Sequence, residues 1–102
     1  MKLSSLVFAG TLLLAHTTAN AAGEELANNS GCLACHSIDT QLIGPAYKDV
    51  AAKYRDEAGA AELLAEKVKS GGSGTWGNMP MPPNAHVKDE DIRAIVAWIL
   101  SL

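Results

Sequence analysis

The two cysteines of this chain, Cys32 and Cys35, are separated by two residues, and His36 directly follows the second. Cys-x-x-Cys-His is the attachment signature of c-type haem. Residues three and four apart share one side of a helical turn, so Cys32, Cys35 and His36 can face the same flat macrocycle. The motif predicts thioether bonds from both cysteines to one haem c, with His36 as a ligand of the iron.

Three other uses of a cysteine pair compete with this interpretation. A thioredoxin-like redox pair needs a strand before the cysteines, and no strand pattern precedes Cys32. A zinc site needs four ligands, which would come from His36, His86 and carboxylates. A disulfide between Cys32 and Cys35 closes a loop too short to add much stability. Haem attachment is therefore the preferred interpretation.

The first residues have the features of a secretory leader. Lys2 precedes an apolar run, and small residues ending in Ala21-Ala22 follow it. The run is shorter than the roughly twenty apolar residues of a spanning helix, and it ends in an Ala-x-Ala-like cleavage site. The sequence predicts a cleaved signal peptide at residues 1–21, one domain at residues 22–102, and no membrane insertion after cleavage.

The predicted mature chain is small and acidic. About eighty residues are too few for a second core, and one core of this size often needs a covalent or ligand staple. Lys2 leaves with the leader, so the net charge falls from −3 for the full sequence to −4 for the remainder. This balance argues against a nucleic-acid partner.

Helical periodicity accounts for most of the mature chain. Helices are predicted over residues 23–31, 45–55, 60–69 and 88–101. Proline suits a first helical position, so the second helix is predicted to start at Pro45. The third helix is predicted to turn Leu63, Leu64 and Val68 inward, and the fourth carries an apolar stripe beside Trp98, which is assigned to the core. No run alternates with period two for long enough to be a strand, and the predicted fold class is all-α.

Two methionines lie in a stiff segment before the last helix. Prolines 80, 82 and 83 fix φ and exclude helix, so Met79 and Met81 are held on extended backbone. A thioether ligand favours ferrous iron and raises its reduction potential. The residues slightly favour Met81, which has proline on both sides, as the second axial ligand; Met79, His86, a lysine or water remain open.

Four stretches together carry a family resemblance: residues 31–36, 43–53, 76–77 and 80–84. On these the chain resembles the class I cytochromes c, most closely the short periplasmic carriers of the cytochrome c-551 type. The resemblance covers the whole mature length, with one extra residue near His86. It implies a small four-helix fold wrapped around one covalently bound haem c.

The resemblance also implies the ligands of the iron. His36 and Met81 would be its axial ligands, and Met79 would lie at the surface beside the haem edge. The Pro45 carbonyl would accept a hydrogen bond from the His36 ring, fixing its tautomer.

Three further residues receive roles by the same resemblance. Trp76 would donate to a haem propionate, and Asn84 would orient the methionine ligand. Lys67 falls where a basic side chain can approach a propionate, although an exposed helical lysine is more often a solvated charge.

The implied function is one-electron transfer in the periplasm, without enzyme activity. The donor would be a bc-type complex or another cytochrome, and the acceptor a periplasmic nitrite reductase or terminal oxidase. Partners would dock at the haem edge near Leu33, Met79 and Pro82, with Lys48 and Lys53 further out, and the chain would act as a monomer. The alternative is a haem enzyme or gas sensor with an open distal site.

Overall fold

The computed structural model describes residues 18–102, together with Lys2, Ser4, Ser5 and Gly10. In this part the four α-helices are α1 (Thr18–Asn29), α2 (Tyr47–Tyr54), α3 (Ala60–Ser70) and α4 (Asp89–Leu100). A 3-10 helix (Cys32–Ala34) follows α1, and two short strands, β1 (Gly72–Gly74) and β2 (Gly77–Met81), lie between α3 and α4. The predicted all-α, four-helix class is confirmed. No described helix has the length and apolar character needed to cross a membrane.

The predicted signal peptide, residues 1–21, lies largely outside the described residues. Helix α1 begins at Thr18, earlier than the predicted start at Gly23, and ends at Asn29.

The contact of α1 with α4 depends on small residues. Ala27 is fully buried, and a Cβ on Gly23 would collide with Trp98 and with the Ala94 carbonyl oxygen. The two helices therefore cross closely.

Helix α4 is the centre of the core, as its sequence predicts. Three acidic residues occupy its first turn, where the partial positive charge of the helix end favours them. Trp98 is 4% exposed, which confirms its assignment to the core. The buried face of α4 consists of Ile92, Ile95, Val96, Trp98 and Ile99. This face packs against α1, α2 and α3.

Helix α3 extends one residue beyond its predicted end at Lys69, and its buried face is narrower than predicted. Ala60 and Leu64 are buried, and Val68 is partly buried, so the packed stripe follows a spacing of four residues. Leu63 is 41% exposed, and its predicted inward orientation is wrong. Successive positions on a helix differ by about 100°, which places Leu63 beside the stripe instead of on it.

Helix α2 begins later than predicted. Pro45 lies before the helix, and Ala46, with φ −60° and ψ 140°, is the extended N-cap. The Ala46 carbonyl accepts the first hydrogen bonds of the helix from Asp49 and Val50. The Pro45 carbonyl instead accepts from the His36 ring, and the extended ψ of Ala46 sets the first helical residue at Tyr47.

A small antiparallel hairpin follows α3, in a segment for which the sequence predicts no strand. Gly72 pairs with Met81 and Gly74 with Gly77, around a two-residue turn of Thr75 and Trp76. Four glycines of this segment have positive φ: Gly71, Gly72, Gly74 and Gly77. Glycine and proline carry little strand propensity, so the sequence pattern does not reveal this hairpin. The extended conformation predicted for Met79 and Met81 is confirmed.

Candidate functional site

One cleft brings the cysteine motif together with the methionine segment. Cys32, Cys35 and His36 line one part of it, and Met79 and Met81 line another. Its floor contains apolar residues of the helices, namely Val50, Leu64, Val68, Ile95, Val96 and Ile99. Residues far apart in the sequence therefore meet around one apolar space between the helices and the hairpin.

The cysteine motif is wound into a tight turn. Gly31 precedes it with φ 84°, and the backbone N–H groups of Cys35 and His36 both donate to the Cys32 carbonyl, at 3.2 and 3.0 Å. Both cysteines are partly buried and neither forms a disulfide. The turn places both thiols and the imidazole on the same cleft, as the spacing predicts.

A hydrogen bond to the backbone of Pro45 orients the His36 ring. Its Nδ1 lies 2.8 Å from the Pro45 carbonyl oxygen, which is the contact that the family resemblance implies. Because a carbonyl oxygen only accepts, Nδ1 carries a hydrogen, and in the neutral ring the lone pair is then on Nε2. A neutral imidazole in this tautomer is a metal ligand through Nε2.

Backbone hydrogen bonds hold the segment around Pro45 against the motif. Gly44 N–H donates to the Cys35 carbonyl at 2.8 Å, and Tyr47 N–H donates to the Ser37 carbonyl at 2.9 Å. These bonds link residues on both sides of His36 to residues on both sides of Pro45. The orientation of the imidazole is therefore a property of two adjoining backbone segments.

Tyr47 is a site residue to which sequence reasoning gave no role. Its ring stacks on His36, with centroids 4.7 Å apart and planes 15° from parallel, and its edge meets Trp98 at 5.5 Å. Burial raises the pKa of the Tyr47 hydroxyl well above its usual value. Burial also raises the pKa of the Cys32 thiol, and a hydrogen bond with Tyr47 opposes that shift. Tyr47 thus connects the motif to the core.

The two methionines lie on the same side of β2, two residues apart. Both line the cleft, but Met79 is 67% exposed whereas Met81 is partly buried. Gly71, with φ 72°, lies under the Met81 carbonyl oxygen so closely that a Cβ there would collide with it. The methionine segment is thereby packed against the end of α3.

Asn84 holds the same segment from its other end. Its Nδ2 donates to the Val68 carbonyl at 3.1 Å and to the Pro82 carbonyl at 3.2 Å, and its backbone N–H also donates to Val68. The side chain thus fixes the residue after Met81. A direct role of Asn84 in orienting Met81 stays a prediction.

Of the remaining predicted site residues, Trp76 and Lys67 line the cleft and His86 does not. Trp76 is 44% exposed and Lys67 is partly buried. Their contacts with haem propionates stay predictions. His86 is exposed and is not among the lining residues. Ile43, which sequence analysis did not single out, lines the cleft and is 59% exposed.

The competing uses of the cysteines find little support in this geometry. Helix α1 and the 3-10 helix, not a strand, precede and contain the motif, unlike a thioredoxin-like site. Among the described residues no three His, Cys, Asp or Glu side chains group as zinc ligands would. Two thiols, a free imidazole Nε2 and two thioethers around an apolar cleft are a donor set that fits a covalently held iron porphyrin.

Comparison with known proteins agrees with this donor set. Residues 20–102 match the Cytochrome c family model. The chain is 60% identical over 77 residues to cytochrome c-551 of Allochromatium vinosum, covering 76% of this chain and 82% of that protein. It is 50% identical over 99 residues to cytochrome c-551 of Pseudomonas aeruginosa, covering 97% and 93%. The crystal structure of wild-type Nitrosomonas europaea cytochrome c552 superimposes with a TM-score of 0.75 at 52% identity, covering 78% of this chain and 98% of that one.

The chain therefore belongs to the cytochrome c family. It binds one covalently attached haem c and transfers electrons; it is not an enzyme. The similarity to cytochromes c-551 and c-552 confirms the class I resemblance, and the haem-enzyme alternative is set aside.

Proposed function

We propose that this chain is a periplasmic monohaem electron carrier whose iron is held by His36 and Met81, with Cys32 and Cys35 as the thioether attachments. The observation that carries the proposal is the shared cleft, in which the motif and Met81 face one apolar space. When bound, the haem supplies a one-electron iron couple. The polypeptide supplies both axial ligands and a surrounding that limits water.

The His36 side of the site is arranged for a constant geometry. The hydrogen bond from Nδ1 to the Pro45 carbonyl fixes the ring and makes Nε2 more basic. Stacking on Tyr47 restricts the ring further. A ligand held this firmly changes position little when the iron changes oxidation state, so less must rearrange with each electron.

The Met81 side is favoured over Met79 by burial and support. Met81 is the more buried of the two and is braced by Gly71 beneath its carbonyl. Met79 is largely exposed, which suits a residue at the edge of the haem. We therefore assign Met81 to the iron and Met79 to the docking surface.

A matched pair of methionine variants tests this assignment. Met81→Ala is expected to abolish the thioether-to-iron charge-transfer band of the ferric protein, lower the reduction potential and allow rapid binding of cyanide or carbon monoxide. Met79→Ala is the control and should retain the band and the potential. Loss of the band in Met79→Ala alone would reverse the assignment, and retention in both variants would contradict the assignment of Met81. A wild-type protein without the band would direct attention to His86, which has no thioether.

The second part of the proposal concerns location and partners. The predicted leader at residues 1–21 supports export to the periplasm. The proposed donor is a bc-type complex or another cytochrome, and the proposed acceptor is a nitrite reductase or terminal oxidase. These partners would dock near Leu33, Met79 and Pro82. The chain would act as a monomer. Intact mass of the haem-loaded protein from the periplasmic fraction tests cleavage after Ala21 or Ala22, and an uncleaved mass would contradict it. Absence of the haem-loaded protein from that fraction would contradict export.

A further inference from the structure

Gly44 lies against the His36 ring at a distance that no larger residue allows. A Cβ built on Gly44 would be 2.5 Å from Cε1, 2.8 Å from Nδ1 and 3.0 Å from Nε2 of His36. These distances are well inside van der Waals contact. They are also nearly equal, so the Cβ would lie over the face of the ring and not beyond its edge.

The backbone of Gly44 does not itself require glycine. The glycines with positive φ in the described chain do not include Gly44, so alanine would suffer no conformational strain there. The space beside the imidazole is therefore the reason that the structure gives for glycine at this position.

Gly44 also has little freedom to move away from an added methyl group. Its N–H donates to the Cys35 carbonyl at 2.8 Å, and its carbonyl accepts from Leu42 N–H at 3.1 Å. The next carbonyl, that of Pro45, accepts from His36 Nδ1 at 2.8 Å. A shift of residue 44 would disturb these bonds, so the imidazole or its Nδ1 bond must yield instead.

We infer that Gly44 is a positioning residue for the His36 imidazole: its missing side chain sets the orientation of the ring and the strength of the Nδ1 bond to Pro45, and thereby the reduction potential. This inference rests on the proposed role of His36 as an iron ligand. A weaker Nδ1 bond makes Nε2 a poorer electron donor, which destabilises ferric iron and raises the potential.

Gly44→Ala in the haem-loaded protein tests the inference, with Gly59→Ala as control. Gly59 has φ 76° and nothing within 4 Å of an added Cβ, so its alanine variant is strained without touching His36. In Gly44→Ala the Nδ1 proton, followed by NMR in the ferrous state, should exchange with solvent several-fold faster, and the potential should rise. Gly59→Ala should lower the melting temperature while leaving both properties unchanged. Equal values in Gly44→Ala and the wild type, or equal changes in both variants, would overturn the inference.

A measurement on the wild-type ferrous protein covers the case in which Gly44→Ala fails to mature. A nuclear Overhauser contact between a Gly44 Hα and His36 Hε1 is expected, because that hydrogen occupies the position over the ring; its absence would overturn the inference. His36 ring protons shifted strongly by the haem ring current show that His36 binds the iron. Unshifted ring protons with the Gly44 contact present would instead refute the proposed ligand.

Discussion

The Tyr47 ring lies nearly parallel to the His36 imidazole, with centroids 4.7 Å apart and planes at 15°. The same ring meets Trp98 edge-on at 5.5 Å, and Trp98 contacts the crossing of α1 and α4 next to Gly23. A continuous path of packed side chains therefore joins the haem-attachment motif to the helix crossing at the centre of the core. The same side-chain contacts therefore orient the His36 ring and contribute to the stability of the fold.

Two replacements of Tyr47 are expected to distinguish the contribution of its ring to stability from that of its hydroxyl. Tyr47 is 4% exposed, and truncating a buried aromatic residue costs about 3–5 kcal/mol. Tyr47→Ala should lose this much stability in denaturant unfolding of the haem-loaded protein. Tyr47→Phe keeps both aromatic contacts and should lose no more than about 1 kcal/mol. Equal losses in the two variants would show that the hydroxyl, and not the stacking, stabilises the site.

The features predictable from sequence are those that depend on local spacing. The stripe of α4, its acidic first turn and Trp98 follow from helical periodicity and helix-end charge. The facing of Cys32 and His36 follows from one turn of backbone. Each needs only residues within a few positions of one another.

Several of the features that sequence analysis missed depend on contacts between distant segments. The contacts of Gly44 and Tyr47 with His36 exist because a loop returns to the motif, and no periodicity encodes that return. Pro45, which lies before the late start of α2, is likewise tied to a distant residue, since its carbonyl accepts from His36. The hairpin arises from glycines with positive φ, which a pattern of apolar residues does not register.

Folding is expected to depend on attachment of the haem. Leu64, Ile95 and Val96 belong to the buried core and also line the cleft, so much of the core packs toward the space that the haem fits. Cys32→Ala/Cys35→Ala should lack a cooperative thermal transition in circular dichroism, because about eighty residues bury little apolar area alone. Met79→Ala, which keeps both attachments, is the control. Sharp unfolding of the double variant from a native-like helical state would contradict the prediction.

The junction between α3 and α4 should respond to pH. Lys69 Nζ donates to the Val87 carbonyl and pairs with Asp89, both at 2.9 Å. The hydrogen bond and the charge of Lys69 lower the pKa of the Asp89 carboxyl. A lowered pKa contributes stability that is full above the ordinary aspartate value of about 4 and is lost as pH falls through the lowered value.

Asp89→Asn isolates this contribution when it is compared with Glu90→Gln. Both variants remove one negative charge from the first turn of α4, but only Asp89 is paired with Lys69. At neutral pH Asp89→Asn should melt slightly below Glu90→Gln, and the difference should vanish at acidic pH and shrink with added salt. A difference that persists below the lowered pKa would show that the ion pair is not its cause.

Electron exchange is expected to depend more on apolar surface than on charge. Met79 is the most exposed large apolar residue of the described chain, at 67%. Lys48, which could steer a partner, is paired with Asp39 at 2.6 Å, so its charge is largely compensated. Transient redox interfaces are small and quickly released, and an apolar contact suits them.

Self-exchange between the ferrous and ferric protein, followed by NMR line broadening, measures this without a second partner. Met79→Glu should slow the exchange several-fold at unchanged potential, whereas Met79→Leu, which keeps an apolar side chain, should leave the rate near that of the wild type. Leu33→Glu is expected to act in the same direction, with a loss of stability as well, because Leu33 packs partly against the core. Lys48→Ala and Asp39→Asn should change mainly the dependence on ionic strength, in opposite directions. If the two charge variants alter the rate more than Met79→Glu at all salt concentrations, docking is electrostatic and the apolar surface around Met79 is not the contact.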